Sequence, residues 1–153
     1  MEAGLEWLAE LPLSRSIRFS RWGYATVNAT HIASIAILYG SILLLDLRLM
    51  GMWKRVPLAP LLETVPRLAA SGLAMAMVTG FLLFATRATE YVQLGIFQLK
   101  LAIIFAGTVF ALSVHWYGAL EQRSSATLRT IGLVSILFWT SALICGRLIA
   151  FAG

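Results

Sequence analysis

Charge is scarce in this chain. Asp, Glu, Lys and Arg make up 12% of its 153 residues, against ~25% in a typical soluble domain. Hydrophobic residues reach 59% and mean hydropathy is +0.84. That balance excludes a disordered protein, a nucleic-acid-binding domain and an ordinary water-soluble enzyme, and leaves a polytopic membrane protein. Cys145 is the only cysteine, so there is no disulfide framework and no cysteine-based metal motif; set in an apolar run, it reads as packing. A Gly-rich phosphate loop, CxxC, HExxH and a credible Ser/His/Asp set are all missing, as are repeats and low-complexity stretches. A basic leader is missing too: Met1-Glu2-Ala3-Gly4-Leu5-Glu6 is acidic where a signal peptide is basic, so targeting is expected from the first span itself.

The charge that is present is mostly positive. Twelve Lys+Arg stand against seven Asp+Glu, a net +5. The basic residues fall between apolar runs, where membrane-edge anchors sit. They imply a lipid bilayer as partner and no nucleic acid.

Four apolar runs are each long enough to cross a hydrocarbon core of ~30 Å, which takes ~20 helical residues. They cover about 24–49, 64–86, 91–116 and 128–151. Helices are required, since lipid forces backbone polar groups to be satisfied within the segment. The links are short: Gly51–Pro60 with Lys54, Arg55 and two prolines, Arg87–Glu90, and Gly118–Thr127. Short links make neighbouring helices antiparallel. The expected class is therefore all-α: an integral membrane four-helix up-down bundle, one membrane domain over 1–153.

Residues 1–23 differ. Leu5, Leu8, Leu11, Ile17 and Phe19 alternate with Glu6, Glu10, Arg15 and Arg18, which predicts an interfacial amphipathic segment broken at Pro12. The first and third spans begin on this side, side A, with Trp22, Tyr24 and Tyr91 as its aromatic belt. Trp53 and Trp116 mark side B. The Lys/Arg distribution puts side B in the cytoplasm and both termini outside a bacterial inner membrane. In the second span Gly72, Ala76 and Gly80 recur every four residues, which admits a neighbouring helix or a flat cofactor close to the backbone.

Ionisable residues inside spans are costly, and each is a functional candidate. His31 lies seven residues past Tyr24, ~10 Å into the first span. Lys100 lies nine residues past Tyr91, ~13 Å into the third. Arg147 lies six residues before the end of the fourth, ~9 Å from it. Three helices thus send His, Lys and Arg to one layer, with no carboxylate in it. A cationic layer without a counter-ion suits an anionic ligand: haem propionates, a quinone oxygen or a lipid phosphate. His31 fits an axial haem ligand. Lys100 fits a second ligand, a proton carrier or a propionate partner, and Arg147 a propionate holder. The plainer readings are a cross-helix hydrogen bond for His31, snorkelling for Lys100 and a helix-end anchor for Arg147.

His115 is fifteen residues beyond Lys100, ~22 Å along the same helix, so it belongs to side B. It reads as an interfacial residue, or as part of a second cofactor site. Asp46, Arg48, Glu63 and Arg67 suggest an ion-pair network across the first hairpin. Met75 and Met77 are a weak copper signal. Trp139 lies mid-span and requires a partner.

Several of these residues occur in a known pattern. His31 opens the first span, Gly-Ser-Ile-Leu-Leu-Leu-Asp-Leu-Arg-Leu-Met-Gly covers 40–51, Pro66 and Thr79-Gly80 follow in the second span, and Phe97-Gln98-Leu99-Lys100 opens the third. The chain resembles, over nearly its whole length, a family of small uncharacterised bacterial four-helix membrane proteins. It is distantly similar to HemJ-type protoporphyrinogen oxidases and to the membrane domain of CopD-type copper-resistance proteins. The HemJ resemblance implies bound haem b, with His31 and Lys100 at its functional positions. The resulting expectation is a haem-b redox protein moving electrons within the bilayer, with a quinone or redox protein as partner and homo- or hetero-oligomers allowed. A porphyrinogen oxidase-like enzyme and a non-catalytic accessory or copper-handling subunit are the alternatives.

Overall fold

The computed structural model describes residues 2–117 and 120–152. Met1, Gly118, Ala119 and Gly153, which the sequence places in the N-terminal segment, the last link and the C-terminus, lie outside these residues. Among the described residues there are seven α-helices and no strand. They are α1 (Glu2–Glu10), α2 (Pro12–Phe19), α3 (Arg21–Leu49), α4 (Leu58–Thr86), α5 (Ala88–Gln93), α6 (Gly95–Tyr117) and α7 (Ser125–Ala152), with one 3-10 turn at Leu120–Gln122. Helices α3, α4, α6 and α7 are long and apolar enough to cross a membrane, and they pack together as a multi-pass, up-down bundle. Helix α3 is flanked by α4 and α7, and α6 packs on α7.

Local chemistry explains the ends of the elements. Pro12 opens α2 at a position where its missing N–H costs nothing. Ser20 then caps α3, its hydroxyl accepting from the Gly23 N–H at 3.0 Å. Helix α3 stops in a tight turn in which Gly51 (φ 102°) and Trp53 (φ 46°) adopt left-handed backbone, ordinary for Gly and costly for Trp. Pro57 precedes α4 and Pro60 falls in its first turn, where backbone N–H groups have no intrahelical acceptor. The second span therefore starts at Leu58, earlier than the apolar run indicates. Pro66 lies inside it, removing one donor from the ladder.

The third span differs most from expectation. The run from residue 91 is divided at Leu94, which is extended (φ −81°, ψ 111°). Tyr91 sits on the short α5, and the membrane helix α6 begins at Gly95. Aromatic stacking joins α4, α5 and α6 at this end: Phe84 on Phe97 at 5.4 Å, and Tyr91 on Phe97 at 5.7 Å.

Small residues set the helix contacts. A Cβ on Gly72 would lie 2.7 Å from the Leu38 backbone nitrogen, and one on Gly132 2.7 Å from the Asp46 carbonyl oxygen. These two glycines let α4 and α7 press directly onto α3. Trp139, mid-span and buried, packs over Gly107 of α6. At side A, α2 buries Ser14 and Ile17 and leaves Leu13 and Phe19 exposed, while α1 exposes Trp7. Apolar groups facing outward beside Arg15 and Arg18 suit an interfacial segment lying across the bundle end.

Candidate functional site

The side-A half of the bundle holds the candidate site. His31, half-buried on α3, turns its ring towards α4. Its Nδ1 is 2.9 Å from Thr79 Oγ1, and Thr79 is itself 5% exposed. Gly80 completes the seat: a Cβ there would lie 3.0 Å from His31 Cε1, so any larger residue would displace the ring. The Gly72/Ala76/Gly80 stripe is thus filled by α3, its backbone at Gly72 and the His31 ring at Gly80.

The hydrogen bonds favour the Nδ1–H tautomer. A threonine hydroxyl has one proton, and Thr79 Oγ1 stands 2.7 Å from the Met75 carbonyl. With that proton donated to Met75, Thr79 accepts from a protonated His31 Nδ1. The Ala76 carbonyl beside the ring is a further acceptor. Nε2 then carries the ring's lone pair and has no hydrogen-bond partner among the described residues. An imidazole oriented through one nitrogen with the other free is the usual arrangement of a metal-binding histidine.

Lys100 approaches from α6. It is half-buried, and a Cβ on Gly146 of α7 would lie 3.4 Å from both its Cε and Nζ. The side chain therefore lies along α7 rather than snorkelling to the surface. The buried Cys145 and His31 are both within electrostatic reach of its ammonium. Among the described residues no carboxylate forms an ion pair with Lys100; the ion pairs are Arg15–Glu10, Arg67–Glu63 and Arg87–Glu90, all exposed.

Arg147 is exposed, its guanidinium 5.0 Å over the Phe151 ring, a cation–π contact. Its neighbour Gly146 is the α7 residue that meets Lys100. Sequence reasoning missed Gly146; the cross-helix hydrogen bond it offered as the plainer reading of His31 is present, with Thr79 as the partner. Small and hydroxyl-bearing residues facing an intramembrane cation were the available signal.

The other polar residues are dispersed. His115 is exposed near the end of α6, and Met75 and Met77 are exposed on α4. Among the described residues no three His, Cys, Asp or Glu side chains cluster as a metal site. The side-B network forms only in its Glu63–Arg67 pair, without Asp46. Arg67 pairs with Glu63 at 3.6 Å, and Arg48 donates to the Val56 carbonyl at 2.8 Å. Asp46 instead turns into the protein against α7.

The site brings the His31 imidazole within electrostatic reach of an ammonium that forms no ion pair among the described residues. No curated protein and no solved structure matches the chain. A model of the family of unknown function DUF6644 matches residues 15–152, from within α2 to the end of α7. The chain belongs to that family.

Proposed function

We propose that the chain is a membrane-embedded carrier of a haem-b-type redox group that passes electrons within the bilayer. The observation that carries this reading is the oriented His31 ring: Nδ1 is tied to Thr79, and among the described residues Nε2 has no hydrogen-bond partner. The donor set suits the group. Imidazole is a standard axial ligand to haem iron, and Lys100, with no counter-ion of its own, suits a propionate. Gly80 and Gly146 keep the two side chains seated against α4 and α7. When bound, haem supplies a one-electron couple; the protein supplies ligation, orientation and a low-dielectric setting. The distant similarity to HemJ-type oxidases expected at His31 and Lys100 would agree with it, although no curated protein matches the chain. Arg147, exposed on Phe151, is left as a membrane-edge anchor.

The test is the absorption spectrum of protein purified from haem-supplied cells, beside His31→Ala and Lys100→Ala. A Soret band in the wild type, lost in His31→Ala and weakened or shifted in Lys100→Ala, supports the reading. Folded wild-type protein without such a band refutes it.

A further inference from the structure

Among the described residues, the most enclosed ionisable side chain is not part of this site. Asp46 lies three residues before Leu49, the end of α3, hence ~5 Å inside the side-B end of that helix. It is 4% exposed. Its Oδ2 has essentially no contact with solvent and, among the described residues, no hydrogen-bond partner. Fifteen residues, ~22 Å along α3, separate it from His31.

The surroundings offer a dipole and no counter-charge. From α7 the hydroxyl of Ser135, 8% exposed, faces the carboxyl. Gly132 brings the α7 backbone against the Asp46 carbonyl. Arg48 is engaged with the link after α3, donating to Val56 at 2.8 Å and Lys54 at 3.4 Å. Lys54 and Arg55 are exposed in that link, and Arg129 is exposed with its guanidinium beside Gly51. On α4, Arg67 and Glu63 pair with each other at the surface. None of these groups forms an ion pair with Asp46.

A carboxylate removed from water and left without positive charge is among the most costly arrangements a protein can hold. One bound positive charge relieves it. The enclosure of Oδ2 limits that charge to a small species. A divalent ion is poorly served by one carboxylate, since such ions gather six or more oxygen ligands. We propose that Asp46 and Ser135 form a binding site for one small monovalent cation, a proton or an alkali metal ion, about one turn inside the membrane at the contact of α3 and α7.

Asp46 is the only aspartate in the sequence, so aspartate carrying 13C in its side-chain carboxyl labels this group alone. The experiment is the infrared spectrum of labelled protein in uncharged phosphatidylcholine vesicles. It is paired with the Tm as choline is replaced by Li+, Na+ or K+ at constant ionic strength. A carboxylic-acid carbonyl band that shifts with the label and with D2O identifies a proton. A labelled carboxylate, with a Tm raised by an alkali ion in the wild type and not in Asp46→Asn, identifies the metal ion. A labelled carboxylate with a Tm indifferent to all three ions overturns the proposal. If Asp46→Asn does not fold, Ser135→Ala replaces it: the site requires a displaced acid band or a lost ion dependence, and no change in either overturns it.

Discussion

His31 and Thr79 are joined across α3 and α4 by a 2.9 Å hydrogen bond, and the Thr79 hydroxyl is committed on its other side to the Met75 carbonyl at 2.7 Å. Thr79 therefore favours a proton on the Nδ1 of His31. Thr79→Val removes this acceptor and leaves the half-buried Nδ1–H to the Ala76 carbonyl alone, a loss of ~1 kcal/mol. Thr79→Ser retains the bond and most of the stability. Denaturation in detergent measures the cost. Nitrogen NMR of the His31 ring reads the tautomer, with an Nδ1–H signal in wild type and serine variant and a mixture in the valine variant.

Two glycines separate close packing from helix propensity. Gly72→Leu drives a side chain into the α3 backbone at Leu38 and Ser34, and overpacking of that kind costs ~1–3 kcal/mol. Gly40 has nothing within 4 Å of where its Cβ would be, so Gly40→Ala gains helix propensity of ~0.5–1 kcal/mol. Thermal unfolding of the two variants shifts in opposite directions.

Lys100 distinguishes a functional cation from a structural one. It has no ion-pair partner among the described residues, and its stem lies against Gly146. Lys100→Met keeps the stem and removes an uncompensated charge, which costs little or stabilises. The expected result is a Tm equal to or above that of the wild type. A large loss would show that the ammonium is structural.

Tyr91, on α5 outside the spans, gives a pH dependence. Burial raises its phenol above the ordinary value; Tyr24 adds to the rise, Arg87 opposes it and Glu90 adds to it. A raised folded-state value means that the contribution to stability is complete below the unfolded phenol value of ~10. It is lost as pH rises from there through the folded value. Tyr91→Phe flattens that alkaline decline in an unfolding series, and phenolate absorbance locates the titration.

The spans were legible because lipid strips out polarity: four long apolar runs separated by short polar links admit little besides an up-down bundle. Where α6 begins was harder to see, since Gly95 after Leu94 resembles the many glycines tolerated inside membrane helices. The side-B pairing was misjudged for a physical reason. Asp46 and Arg67 lie on consecutive helices, but the helical phase of Asp46 aims it at α7. His31 and Lys100 stood out because ionisable groups are rare in lipid. Their seats, Thr79–Gly80 and Gly146, depend on which helix faces go together, and apolar runs without strong periodicity do not encode that.

The central claim is that His31 and Lys100 hold one haem-type group per chain. Its most direct test is titration of haemin into detergent-solubilised, haem-free protein, followed by absorbance, with His31→Ala and Lys100→Met in parallel. The account predicts saturation at one equivalent per chain, loss of the ligated spectrum in His31→Ala and weaker binding in Lys100→Met at unchanged stability. Binding that is absent from the folded wild type, or identical in all three proteins, would contradict it.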